Sequence, residues 1–232
     1  MRTLLFDIDG TLLTAAGGGK QAMRMALRYE FRVADPTVAL DFHGRTDTGL
    51  MLELLGMNGV EPCEENRRRF RRSFARYFPE ALTKSGGRVF PGVPELLDQL
   101  SRSGDCRVAV MTGNLPETAS RKLEHFQLRH YVDWIIGGDL DAERNDLAAR
   151  ARAHVQRRHG IEATKNLVVI GDTVADIVCG RAIGAEVVAV CTGGATREQL
   201  QAAGPDAIWN DFSDVRRAAR CLMRGEQGID EA

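Results

Sequence analysis

No apolar run in the 232-residue chain approaches the roughly 20 residues that a membrane-spanning helix needs. Met1-Arg2-Thr3 leads straight into a strand-like segment, so no signal peptide is expected. Cysteine is scarce and scattered: Cys63, Cys106, Cys179, Cys191 and Cys221 show no C-x-x-C spacing. That argues against a zinc site and a disulfide framework, and suits a reducing cytoplasm, the expected location. There is no N-x-S/T sequon and no low-complexity tract or internal repeat. An excess charge of one sign is also missing. The formal net charge of -1 provides no global field for nucleic acid, and no acidic tail appears. With 44% hydrophobic and 27% charged residues the chain reads as an ordinary globular protein, long enough for one large domain or a domain with an insert.

What is present is a recurring pattern of short apolar runs that close on polar or glycine residues. They are "LLFDIDG" (4–10), "RVAVMTGN" (107–114), "WIIGGD" (134–139), "LVVIGDT" (167–173), "EVVAVCTGG" (186–194) and "AIWNDF" (207–212). Helix-period segments separate most of them, among them "PELLDQLSRSG" (94–104), "PETASRKLEHFQL" (116–128) and "DIVCGRAIGA" (176–185). Such alternation predicts an α/β fold with a parallel sheet and right-handed crossovers. Ligands in such sheets sit beyond the carboxyl ends of the strands, so the closing polar residues are expected to meet in space.

Residues 14–86 break the alternation. They hold three helical patterns (20–31, 47–57 and 65–78) and no convincing buried strand, and this helical block starts after "GGG" (17–19) and ends before "GG" (86–87). The reading is a helical insert after the first strand, with a discontinuous α/β core made of 1–13 and 87–232. The Gly-rich connections could serve as hinges or as plain loops.

The chemistry centres on acidic residues at strand ends. Asp7 and Asp9 interrupt the end of an otherwise apolar strand, and unpaired buried charge is too costly to persist there. Asp172 closes another strand, with Asp176 four residues on, in the first turn of the next helix. Together they form a hard, oxygen-rich cluster that favours Mg²⁺ over zinc or copper. Thr112 ends a third strand, and its hydroxyl with the amides of Gly113 and Asn114 could form a small anion site. Arg144, just before a helix-like segment, is the candidate cation.

"DIDGT", "TGN", Arg144 and "GDTVAD" resemble, in order and spacing, the four motifs of the haloacid dehalogenase-like (HAD) superfamily, across essentially the whole chain. The insert stands where the superfamily's small helical C1-type cap stands, and the chain looks closest to the phosphoglycolate phosphatase-like branch. The resemblance implies a Rossmann-like parallel sheet flanked by helices, with the cap inserted after the first strand. It implies Asp7 as nucleophile and Asp9 as acid and base. Mg²⁺ would be held by Asp7, Asp172 and the Asp9 backbone carbonyl, and Asp176 would orient those ligands or reach the ion through a water. Thr112 and Arg144 complete the expected catalytic set, and Thr11, Gly113 and Asn114 the substrate contacts. Arg144 departs from the Lys usual at its position; it keeps the charge but changes the geometry. Dehalogenases of the superfamily lack the second acidic residue, so Asp9 favours phosphoryl transfer. Phosphonate cleavage needs a cap Lys, for which Lys20 is a candidate in type only.

Other features compete less well. "GGGKQ" (17–21) fails as a phosphate-binding loop, since Thr14 replaces the first Gly and Gln21 the Ser/Thr. In the Arg-rich "RRRFRRSFAR" (67–76), the four-residue spacing of Phe70, Phe74 and Phe78 reads as a buried stripe with arginines on a wet face. His125, His130, His154 and His159 have no metal spacing. "FHGRTD" (42–47) offers Arg45, which could recognise a second anionic group such as a carboxylate, or could be solvated beside a helix cap. The expectation is a phosphatase for a small phosphorylated metabolite, acting as monomer or homodimer without nucleic-acid or membrane partners. The rivals are a phosphomutase of the same superfamily, a phospho-accepting signalling domain and an idle partner-binding protein.

Overall fold

The computed structural model describes residues 1–225. The apolar runs form a six-stranded, all-parallel sheet in the order β5-β4-β1-β6-β7-β8. Its strands are β1 (Arg2–Phe6), β4 (Cys106–Met111), β5 (Ile135–Ile136), β6 (Leu167–Gly171), β7 (Glu186–Val190) and β8 (Ala207–Trp209). β1 and β6 are central and covered on both faces, which is why they are continuous runs of Leu, Val, Ile and Phe rather than alternating ones. Six helices flank the sheet: α4 (Val93–Ser103), α5 (Pro116–His125), α6 (Arg144–His159), α7 (Val174–Ala182), α8 (Arg197–Ala202) and α9 (Val215–Arg224). One buried cluster includes Leu4, Phe6, Val110 and Ile170, and the other Leu5, Ala109, Met111 and Val169. Adjacent strand residues thus serve opposite faces.

Strand register decides where the chemistry falls. Phe6 is level with Val110 of β4 and with Ile170 of β6. Asp7, Thr112 and Asp172 therefore emerge within two residues of the same level, at one rim of the sheet.

Between β1 and β4 the chain leaves the core through β2 (Leu13–Thr14) and returns through β3 (Arg88–Val89), which pair antiparallel. This two-stranded ribbon is absent from the sequence reading, because two-residue strands carry no periodic signal. At its return Gly87 has φ +109°, and a Cβ there would lie 2.2 Å from the Thr14 carbonyl oxygen. Beyond the ribbon stand three helices, α1 (Gly18–Glu30), α2 (Asp47–Met57) and α3 (Glu64–Ser85). They form their own apolar cluster, in which Ala22, Met23 and Leu27 of α1 meet Phe70, Phe74 and Phe78 of α3. Each fully buried Phe contributes about 1.5–3 kcal/mol. The arginines of α3 lie outside that stripe, and Arg67, Arg69 and Arg71 pair with Glu64, Glu30 and Glu117. The helix expected over 65–78 runs on through Pro79 to Ser85. Buried Ala81 and Leu82 hold the extra turns in place despite the hydrogen bond that proline forfeits.

Among the described residues all five cysteines are free, and no helix is long and apolar enough to cross a membrane.

Candidate active site

Asp7 continues the extended path of β1 by one step, its N–H donating to the Ile170 carbonyl at 2.9 Å. Asp172 follows β6 directly. Asp176 lies in the first turn of α7, where Thr173 caps the helix and the two side chains form a reciprocal capping box. Oxygens of Asp7, Asp172 and Asp176 all lie within 4.8 Å of one another, and all three residues are buried.

Such a group must be neutralised. Arg144, the first residue of α6 and itself buried, brings Nη2 to 3.6 Å from Asp7 Oδ2 and into close contact with Asp176 Oδ1. Asp176 Oδ2 accepts from the Thr173 N–H at 3.0 Å and hydroxyl at 2.6 Å. Asp172 accepts from the Thr11 hydroxyl at 2.9 Å and the Gly194 N–H at 3.3 Å. Asp7 Oδ1 is buried with no partner. One cation does not balance three carboxylates. Burial, and after it the neighbouring acids, push the Asp172 carboxyl well above the usual range; burial raises Asp7 as well, against the pull of Arg144. Arg144 is held in its charged form by Asp176 and Asp7 although burial opposes it. An orphaned carboxylate oxygen inside an all-oxygen cluster is what a hard divalent cation requires, so these residues fit a metal centre.

Glycine makes room for the cluster. A Cβ on Gly193 would lie 1.6 Å from Asp172 Oδ2, and one on Gly10 2.2 Å from the same atom. Gly10 also has φ +85°, the left-handed conformation that turns the chain after Asp9.

β1 ends at Phe6, and Asp9 already lies in the turn. Its carboxylate therefore does not join the three acids, although the period of a continuous strand would put it beside Asp7. It pairs instead with the ammonium of Lys122 on α5.

A cavity of about 610 Å³ separates this rim from the three-helix insert. Asp7, Asp9, Thr112, Gly113, Asn114 and Arg144 line it from the core and Arg45 from the insert. Thr112 is buried, its hydroxyl accepting from the Asn114 N–H at 3.4 Å. Thr11, expected to contact substrate, is also buried, and its hydroxyl is spent on Asp172 because the Gly10 turn directs it inward. The Arg45 guanidinium donates to Glu53 of α2 at 2.5 Å.

Of two further residues at this site, Lys122 escapes the sequence reading, and Asp47 figures in it only as one of the polar residues of "FHGRTD" and a candidate helix cap. Lys122 is buried and donates to Asn114 Oδ1 at 2.8 Å as well as to Asp9. The signal was its place on the inward stripe of α5, between Ala119, Leu123 and Phe126. Asp47 starts α2, accepts the Leu115 N–H through Oδ2 at 2.8 Å, and donates its own N–H to the Gly113 carbonyl at 2.7 Å. No local pattern betrays the partners of Asp47, because they lie in the core, far along the chain.

Comparison with known proteins agrees with this geometry. The haloacid dehalogenase-like hydrolase family matches residues 4–190. The probable phosphatase IndB of Dickeya dadantii is 31% identical over 224 residues, covering 95% of this chain and 94% of that protein. A phosphoglycolate phosphatase of Rhodospirillum rubrum is 29% identical, covering 92% and 89%. A crystal structure of a predicted phosphoglycolate phosphatase from Haemophilus somnus shares the fold, with a TM-score of 0.73 at 22% identity over 94% of this chain and 97% of that one. A parallel sheet with three acids at one rim and helices inserted after β1, matched along most of its length, makes this chain a member of the haloacid dehalogenase-like hydrolases, in the phosphoglycolate phosphatase-like branch.

Proposed function

We propose that the protein is a Mg²⁺-dependent phosphatase that hydrolyses a small phosphorylated metabolite through an aspartyl-phosphate on Asp7. One observation carries this reading. The buried Asp7 carboxylate lines the cavity, with Arg144 near one oxygen and nothing on the other.

Mg²⁺ would be held by Asp7, Asp172 and the Asp9 backbone carbonyl, with Asp176 beside them, and would offset phosphate charge. At about 4 Å and an effective dielectric near 20, each pair of like unit charges costs about 4 kcal/mol. Arg144 opposes the same repulsion from the protein's side. An ionised Asp7 needs no base to act as nucleophile. Its oxygen forms a bond to phosphorus while the ester P–O bond breaks, and Asp9 gives a proton to the departing oxygen. Asp9 then takes a proton from a water whose oxygen attacks phosphorus. The bond to Asp7 breaks, and inorganic phosphate leaves. Thr112, Gly113 and Asn114 would bind the phosphoryl oxygens. Arg45, on the insert side, would meet a second anionic group of the substrate. The insert, a cap over roughly 14–86, would exclude bulk water when closed. The cavity suits a small ligand, being within the range of about 300–1,000 Å³ found for such sites.

The test is a panel of phosphorylated metabolites with Mg²⁺, read as released inorganic phosphate, for the wild type and Asp7→Asn. Release by the wild type and none by a folded Asp7→Asn protein are expected. Near-normal release by the variant removes Asp7 as nucleophile. Isomerised sugar phosphate without free phosphate makes the protein a mutase instead.

A further inference from the structure

Lys122 is an unusual place to find a buried charge. It stands on α5 with 4% of its surface exposed. Its ammonium pairs with the Asp9 carboxylate, donates to Asn114 Oδ1 at 2.8 Å, and lies 5.8 Å from the centre of the Phe78 ring on α3. Burying a lysine costs free energy that pairing at best offsets, so stability alone is a weak account of it. Neutralising Asp9 does not account for it either. The Asp9 side chain is 40% exposed and water could solvate it, whereas the lysine beneath it is enclosed. The ammonium also exerts a Coulombic pull on the buried Asp47 carboxylate, and beyond that charge balance it orders the two side chains it bonds. Lysine donates and cannot accept, so Asn114 must turn its carbonyl oxygen toward the ammonium, which frees its NH₂ for an anion. The same ammonium limits where the Asp9 carboxylate can stand. Both partners line the cavity beside Asp7.

We propose that Lys122 is a positioning residue for phosphoryl transfer: it aims the Asp9 carboxyl at the leaving oxygen and the Asn114 amide at the phosphoryl group. This rests on the phosphatase reading above. In this role Lys122, itself on the cavity wall, acts through its two partners. Phe78 contributes a wall from the insert, so the ammonium is enclosed only when insert and core face each other as they do here.

The experiment compares kcat/KM for an alkyl phosphate, whose leaving oxygen needs a proton, with 4-nitrophenyl phosphate, whose leaving group departs without one. Asp9→Asn calibrates the readout. It should lose at least about tenfold more on the alkyl than on the aryl ester. If it loses equally on both, the acid role of Asp9 fails, and the Lys122 proposal with it. Given a selective Asp9→Asn, Lys122→Met should reproduce the alkyl-selective loss. The double variant should then lose no more selectivity than Asp9→Asn alone, because both changes remove one function. Equal losses on the two esters in Lys122→Met, or additive selectivity in the double variant, overturn the proposal while leaving the phosphatase reading intact. If Lys122→Met does not fold, Lys122→Arg serves. It keeps the charge but changes its reach, so an intermediate alkyl-selective loss is expected and wild-type selectivity overturns the proposal.

Discussion

The carboxylate of Asp47, at the start of α2, accepts the backbone N–H of Leu115, just before α5, at 2.8 Å. It joins a set of bonds between insert and core. The Thr46 hydroxyl donates to the Ala142 carbonyl at 2.7 Å, and the Thr48 hydroxyl to the Gly138 carbonyl at 2.7 Å. Arg71 of α3 forks onto Glu117 of α5 at 2.7 and 2.9 Å. The start of α2 is thus stapled to the loops after β4 and β5, and the insert faces the acidic rim as a lid in contact.

Asp47 is the titratable member of this latch. Burial pushes its carboxyl from an ordinary 3.8 up to about 6, against the pull of Lys122 and the Leu115 N–H. Because the folded value lies above the unfolded one, the folded protein binds the proton more tightly between those values. Stability from this group therefore falls as pH rises through that window and is flat above it. The upward shift corresponds to roughly 3 kcal/mol at neutral pH. Asp47→Asn keeps an acceptor for Leu115 and removes the charge. Its melting temperature should exceed the wild type's at about pH 7.5, with the gain shrinking toward about pH 4.5. A gain independent of pH would show that charge is not what Asp47 costs the fold.

Gly193, on the cavity wall against Asp172, should report on the metal centre. A methyl group there would lie 1.6 Å from Asp172 Oδ2 and 2.2 Å from its Cγ, so the carboxylate must move. Millimolar Mg²⁺ should raise the melting temperature of the wild type by preferential binding to the folded form. Gly193→Ala should lose that shift, along with about 10–100-fold in Mg²⁺ affinity. An undiminished Mg²⁺ shift in the variant would place the ion elsewhere.

Arg45 sits on the cavity wall, bound to Glu53 on one side. If it reads a second anionic group, Arg45→Ala should cost about tenfold more on a carboxylated phosphate ester than on an uncharged one, equivalent to one charge-assisted hydrogen bond. Equal losses in steady-state kcat/KM on both esters leave Arg45 as a partner of Glu53 only.

The six sheet strands, the helical insert and the acidic strand ends were readable in the chain because each is a local signal. Leu4 to Phe6 and Leu167 to Ile170 are apolar without interruption, since both faces of their strands are covered. Phe70, Phe74 and Phe78 repeat at helical spacing because one side of α3 is buried. Asp7, Asp9 and Asp172 stood out because acids at the end of an apolar run need a reason, and Asp176 because it follows Asp172 by four residues. The ribbon of β2 and β3 was too short for any period to mark, and Pro79 hid the last turns of α3.

Partner choice was decided only in three dimensions. Alternation of strands and helices specifies a parallel sheet, but strand order and register bring Asp7, Thr112 and Asp172 to one level. Neither follows from spacing along the chain. Asp9 turned toward Lys122 and not toward Asp7 because β1 stops at Phe6 and Gly10 bends the chain, a difference of a few dihedral angles. Thr11 was drawn to Asp172 for the same reason. Asp47 and Lys122 acquire meaning from groups that the fold alone delivers. A carboxylate's local neighbours say that it must be satisfied, whereas distant segments, packed at van der Waals distance, say by what.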